Sequence, residues 1–442
     1  MNHNLAYTLF CLLAGVAIII VLTTKYRIHA FFALVLAAFV VGLGIQLPLS
    51  SVLNTIKEGF GNILKSLSLI IVLGTTLGAL LEYTGSTRVM ANYIIRNIGE
   101  RRSALAMSIT GFIVGMPIFC DSGYIVLSGL NNSLAKKTGV HIAIMATSLA
   151  TGLYAVHCLI PPHPGAAAAA AIMSVDYGKL ILLGTIVAIP AMITGHLWAK
   201  YAGRTVVVEG DLEEELVNDE GAPGVLKAFL PILIPIVLIG LKSFLAMEAG
   251  DNSVWLQVIS SLGDPVIALA IGILLAFNCK RGWKKETVSI LMHETAEKAA
   301  NILLIIGAGG AFGAILAQAK LGEQLGTALP LAHLGLSFPF LVTVIMKTAQ
   351  GSSTVAIITS ASIVLPLLPD LGMNDDNGRL LAILAMGAGS MTISHANDAY
   401  FWVISKFSGL DMKAMLRVYS VATLLMGISS LLVIYLMQIF LG

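Results

Sequence analysis

Residues 337–366 read SFPFLVTVIMKTAQGSSTVAIITSASIVLP. A helix needs about 20 apolar residues to cross a bilayer, so this run is too long for one span and short for two. Its middle, Gln350-Gly351-Ser352-Ser353-Thr354, is small and polar. An apolar run that breaks on polar residues and then resumes is the pattern of a re-entrant helical hairpin. Non-helical backbone at membrane depth is tolerated only where protein or a wet cavity satisfies its N–H and C=O groups. The break therefore marks both a fold and a place for a solute. Residues 103–134 form a second such run, broken at Pro117-Ile118-Phe119-Cys120-Asp121-Ser122-Gly123.

The rest of the chain supports a membrane setting. Of its 442 residues 57% are hydrophobic and 11% charged, against about 25% charged in soluble domains. Lipid must cover what polar groups do not. The formal net charge is +2 and no basic cluster is long, so nucleic acid is not an expected partner. The four cysteines, Cys11, Cys120, Cys158 and Cys279, form no C-x-x-C pair, and His157, Cys158 and His163 are not spaced as a usual ligand set. The sequence thus points to no metal, cofactor or disulfide framework. Met1 to Asn4 lacks a basic segment ahead of the apolar run 5–24, which reads as a retained first span rather than a cleaved leader.

Single spans are expected near 5–24, 28–47, 63–83, 141–160, 178–201, 226–246, 264–279, 299–319, 379–400 and 415–440, about ten beside the two hairpins. Lys and Arg collect in cytoplasmic loops. Lys25 and Arg27, then Arg101 and Arg102 with Lys136 and Lys137, then Lys200 and Lys227, assign one side. The stretch 337–366 has Lys320 before it and Asp370, Asp375 and Asp376 after it, which places its ends on the other side. Both termini fall outside.

The order of features recurs. Span 63–83, hairpin 103–134 and span 141–160 ending in Pro161-Pro162-His163-Pro164-Gly165 are followed later by span 299–319, hairpin 337–366 and span 379–400 with Ser394-His395-Ala396-Asn397-Asp398. The halves begin on opposite sides. The expected fold is an all-α polytopic membrane protein of two inverted repeats, with re-entrant hairpins and broken transmembrane helices. The first half is 1–205, with its broken helix at 161–165. An acidic cytoplasmic linker is 206–224, and the second half is 225–442, broken at 394–398. Inverted repeats around a midplane site are the architecture of secondary transporters.

Each break offers candidate chemistry. An acid among apolar residues, such as Asp121 or Asp398, is a functional candidate by default, here for carrying a coupling proton. Asp121, with Ser122 and Gly123, is also a candidate to bind the substrate, and the acid equally suits an N-cap for a helix starting near Gly123. Gln350, Gly351, Ser352, Ser353 and Thr354 supply hydroxyl and N–H groups for a carboxylate. Lys347 either attracts an anion or pairs with Asp398. His163, Gly165, His395 and Asn397 are candidates to bind the substrate, the two imidazoles being suited to its hydroxyls.

Three of these stretches bring a family into view: Pro161 to Gly165, Ala349 to Ala356, and Ser394 to Trp402. With the layout of spans they resemble the bacterial gluconate:proton symporter (gluconate permease) family, within the ion transporter superfamily. The resemblance implies paired hairpins, a homodimer, elevator-like motion, and aldonates or related acids as substrates. Lys347 stands where the family usually has Arg, Tyr400 where it usually has Gly, and Asp121 where gluconate carriers tend to have Glu. Those departures favour a smaller hydroxy acid.

The reading is proton-coupled symport of a small anionic hydroxycarboxylate, gluconate or a related sugar acid, across a bacterial inner membrane, with lipid around the protein. The alternatives are a sodium-coupled carrier of a small hydroxy or amino acid such as glycerate or D-serine, and a channel. An enzyme is not expected, since no nucleophile–base pair is evident.

Overall fold

The computed structural model describes residues 5–99, 102–206, 222–248, 258, 261–280, 282–318, 334–395 and 398–441. Most of the acidic linker, together with Lys320 and Asn397, lies outside them. Among the described residues the regular structure is helical.

The first half contains α1 (Leu5–Thr24), α2 (Ala30–Gly44), α3 (Leu49–Tyr83), α4 (Ser86–Ile98), α5 (Ser103–Gly115), α6 (Cys120–Thr138), α7 (Ile142–Leu159), α8 (Pro164–Ile172) and α9 (Tyr177–Ala202). The second contains α10 (Val225–Glu248), α11 (Pro265–Phe277), α12 (Lys285–Gln318), α13 (Ser337–Gln350), α14 (Ser353–Val364), α15 (Asp376–Met391), α16 (Ala399–Ser408), the short α17 (Met412–Met415) and α18 (Val421–Leu441). Six described helices are long and apolar enough to cross a membrane, and five shorter apolar helices accompany them.

Each expected hairpin is a pair of helices, α5–α6 and α13–α14, with the interruption where the polar residues stand. The first closes at Thr138 rather than 134. The second passes from Val364 into a 3-10 turn, Leu365–Leu367. Two expected spans are broken as well. Helix α7 stops at Leu159, and α8 restarts with Pro164 in its first turn, where proline's missing N–H is no loss. Helix α15 stops at Met391 and α16 restarts at Ala399, capped by Asp398. The stretch expected as one span at 379–400 is therefore a helix, an irregular segment and the start of another helix.

Helices α3 and α12 begin at Leu49 and Lys285, well before the expected 63 and 299. At 1.5 Å per residue each is about 50 Å long, beyond the roughly 30 Å hydrocarbon layer. Their N-terminal portions carry Lys57 and Glu58, or Glu286, Glu294 and Glu297, so a search for apolar runs sees only their later parts. Helix α4 was not expected either. It is amphipathic, burying Met90, Ala91, Ile94 and Ile95 while exposing Asn92, Tyr93, Arg96 and Asn97.

The packing links the two halves. The long helices α3 and α12 lie against each other, α5 packs on α7, and α13 packs on α15. The half-helices cross over: α6 of the first half packs on α16 of the second, and α14 of the second on α8 of the first. Gly165 permits the latter. A Cβ there would sit 2.8 Å from Ile357 Cδ1 and 3.3 Å from Thr354 Cα. The alanines that follow it, Ala166 to Ala170, are buried, so small side chains let the two tips meet.

Candidate functional site

Three helix beginnings converge on one cavity of about 250 Å³. Helix α6 brings Phe119, Cys120 and Asp121. The α13–α14 break brings Gln350, Gly351, Ser352, Ser353 and Thr354. Helix α16 brings Asp398, Ala399 and Tyr400. Tyr154 and His157 enter from the side, on the unbroken part of α7. The first N–H groups of a helix have no partner within it, and the helix dipole places partial positive charge there. Three such ends around one space make a setting for an anion.

The α13–α14 break is shaped by its sequence. Gly351 adopts φ 80°, the left-handed region that costs glycine nothing, and its N–H closes α13 on Lys347 O at 2.8 Å. Ser352 then caps α14, its Oγ accepting from Val355 N at 3.3 Å. The hydroxyls of Ser353 and Thr354 follow in the first turn, on the cavity.

Lys347 is 1% exposed and does not line the cavity. Its Nζ donates to Gly351 O at 2.5 Å and to Asp398 Oδ2 at 2.6 Å. Asp398 Oδ2 also accepts from Ser394 Oγ at 2.5 Å, while Oδ1 accepts from Tyr400 N at 3.0 Å. Of the two roles expected for Lys347, the structure has it paired with Asp398. A cation at the C-terminal end of α13 and an anion at the N-terminal end of α16 each complement the local dipole. The loop leading to Asp398 is braced by α18 and its preceding π turn: Ser420 Oγ donates to Ser394 O at 2.5 Å, and Ser394 N donates to Thr423 Oγ1 at 3.1 Å.

Asp121 is placed differently. It lies in the first turn of α6, on the cavity, and its neighbour Cys120 offers a weak Sγ contact to Oδ1 at 3.8 Å. Among the described residues no cation pairs with it within 4.0 Å, whereas Asp398 has Lys347.

The expected site residues divide accordingly. Asp121, Gln350, Gly351, Ser352, Ser353, Thr354 and Asp398 line the cavity together. Among the described residues, neither polar atom of the buried Gln350 amide has a hydrogen-bond partner. Ser122, Gly123, His163, Gly165, Lys347 and His395 stand outside the lining. Gly165 supports the tip of α14 from behind. His395 is half-buried, its Nε2 facing Thr348 O at 3.3 Å. His163 is 3% exposed with both ring nitrogens engaged, by His157 and by Gly115 O.

Sequence reasoning missed Tyr154 and His157 as lining residues and marked Tyr400 only as a departure from the family pattern. Tyr400 OH donates to Ala150 O at 3.2 Å and Tyr154 OH to Ser390 O at 3.4 Å, so these rings form a fixed aromatic wall with centroids 5.5 Å apart. The available signal was an ionisable residue, His157, inside an apolar span.

Comparison with known proteins agrees with this architecture. The model of the GntP family permease matches residues 7–440. A gluconate permease of Pseudomonas aeruginosa is 32% identical over 99% of both chains. The high-affinity gluconate transporter of Escherichia coli is 30% identical, over 94% of this chain and 96% of its own. The solved structure of Neisseria gonorrhoeae MtrF shares the fold, with a TM-score of 0.63 at 15% identity, covering 89% of this chain and 86% of that one. The chain belongs to the GntP permease family and is a multi-pass inner-membrane transporter, not an enzyme.

Proposed function

We propose that this permease is a proton-coupled symporter of gluconate or a closely related small hydroxycarboxylate. The observation that carries the reading is the asymmetry of the two cavity acids. Asp398 is neutralised by Lys347 at 2.6 Å, whereas Asp121 faces the cavity with no cation paired to it among the described residues. A substrate carboxylate fits the α14 start, with the N–H and hydroxyl groups of Ser353 and Thr354. It would then share a poorly hydrated space with the Asp121 carboxylate. Two like charges in such a site disfavour each other, and protonating one relieves the conflict. Substrate and proton are thus expected to bind together. Gln350, with its unpaired amide, supplies donor and acceptor groups to substrate hydroxyls. The gluconate carriers among the relatives support the substrate class.

The same reading places the two halves as inverted repeats. It is supported by the recurrence of a helix pair followed by a broken helix, α5–α8 and then α13–α16. Proteoliposomes test the coupling. An inward proton gradient, without sodium, is expected to drive gluconate accumulation that a protonophore collapses. Accumulation that requires sodium, or that ignores the gradient, would reject the proposal.

A further inference from the structure

His157 and His163 face each other through their Nδ1 atoms at 3.2 Å, with ring centroids 4.7 Å apart. A nitrogen–nitrogen hydrogen bond needs one N–H and one lone pair. The remaining contact decides which ring has which. His163 Nε2 lies 2.7 Å from Gly115 O, and a carbonyl oxygen only accepts. His163 therefore holds its proton on Nε2, and its neutral ring presents a bare Nδ1 to His157. His157 must donate from Nδ1. Its own Nε2 is then the bare nitrogen, on a ring that lines the cavity. Both rings are buried, at 7% and 3% exposure, and a charged imidazolium there is costly to desolvate, so the neutral pair is the resting form. Gly115 O is free to anchor it because α5 ends at Gly115, where the last carbonyls of a helix lack intrahelical partners.

The surroundings leave this Nε2 one kind of use. The ring of Tyr154 stacks parallel to His157 at 6.2 Å, and Phe119 stands at 6.2 Å on another side. The Tyr154 hydroxyl is committed to Ser390 O, and no described protein donor is within reach of His157 Nε2. A lone-pair acceptor held in a fixed direction selects for a donor, and a hydroxyl of the substrate is the donor that a hydroxycarboxylate brings.

We infer that His157 is a specificity-determining residue that accepts a hydrogen bond from a substrate hydroxyl through Nε2, with His163 and the Gly115 carbonyl as the positioning groups that fix its tautomer. This rests on the hydroxycarboxylate reading above and deepens it. It also exchanges the expected role of His163 as a ligand for one of support.

Competition of labelled gluconate uptake in proteoliposomes tests it, with gluconate and its single-deoxy analogues as competitors. The parent protein is expected to disfavour at least one deoxy isomer by about three- to tenfold, the range of one neutral hydrogen bond. His157→Phe keeps a ring in the stack and removes the lone pair, so gluconate and that isomer should compete equally. A parent that discriminates and a His157→Phe that discriminates by the same ratio would overturn the inference. A parent that transports no gluconate would instead reject the substrate reading, and the tautomer still decides the geometry. Nitrogen NMR of histidine-labelled protein should find His157 protonated on Nδ1 and His163 on Nε2. In His163→Leu the His157 ring should revert to the Nε2-protonated form that free imidazole side chains favour. An Nε2-protonated His157 in the parent protein would overturn the inference whatever the transport result.

Discussion

Lys347 Nζ meets Asp398 Oδ2 at 2.6 Å across 51 residues of chain, and so fastens the end of one half-helix to the beginning of another. Both groups are almost wholly buried. Removing one partner strands the other charge, which costs about 3–5 kcal/mol in buried pairs. Lys347→Met and Asp398→Asn should each lower the melting temperature in detergent sharply. The double substitution should recover a large part of the loss, because no unpaired charge is left. Additive losses in a double-mutant cycle would show that the pair is not the source of stability.

Asp121 has no such partner among the described residues, so its substitution should act on transport rather than folding. Asp121→Asn keeps the shape and removes the titrating group. It should abolish accumulation driven by a pH gradient, while exchange of labelled for unlabelled gluconate survives in part. Full accumulation by this variant would move the coupling role to another group.

Ser353 and Thr354 stand at the start of α14, on the cavity. Ser353→Ala and Thr354→Ala should each weaken gluconate binding by about 1 kcal/mol, and by up to about 3 kcal/mol if the hydroxyl meets the carboxylate directly. The amount of protein in the membrane should hold. Unchanged affinity in both variants would leave these hydroxyls a packing role only.

The proposed inversion makes a topological prediction. Single cysteines at Lys137→Cys, where the first hairpin ends, and Asp375→Cys, just after the second, should react with impermeant reagents from opposite faces of the membrane. Reaction from the same face would refute the inversion.

The sequence made the breaks legible because a helix interrupted in lipid needs special residues. Pro161, Pro162 and Pro164, the Gly351 turn and the acids Asp121 and Asp398 all stand where helices stop or start. The unbroken elements were harder to read. Helix α7 presents Tyr154 and His157 to the cavity from an ordinary apolar span, and no local irregularity announces it. Every residue of α7 is buried, with α5, α9 and α6 packed around it, so its own pattern does not mark the face that meets the cavity. The two break histidines show the converse. His163 and His395 occupy matching places in the chain, yet one ring is locked behind the site and the other turns to Thr348. Both stand where a helix breaks, but the direction of each side chain is set by its neighbours. The starts of α3 and α12 were hidden for a simpler reason: their N-terminal portions mix polar and charged residues with apolar ones, and apolar counting passes over them.

The four native cysteines are all buried, but they are not equivalent. Cys120 alone among them lies on the cavity wall, one residue from Asp121. The chain thus comes with its own occupancy gauge. The Cys120 thiol is only 3% exposed and buried thiols react slowly, so a small uncharged alkylating reagent should modify it only on prolonged exposure at alkaline pH, and a bound solute should slow that modification further, in proportion to the fraction of cavities filled. Affinity can then be read from a mass shift on protein that is not transporting at all, which separates the strength of binding from the speed of the transport cycle.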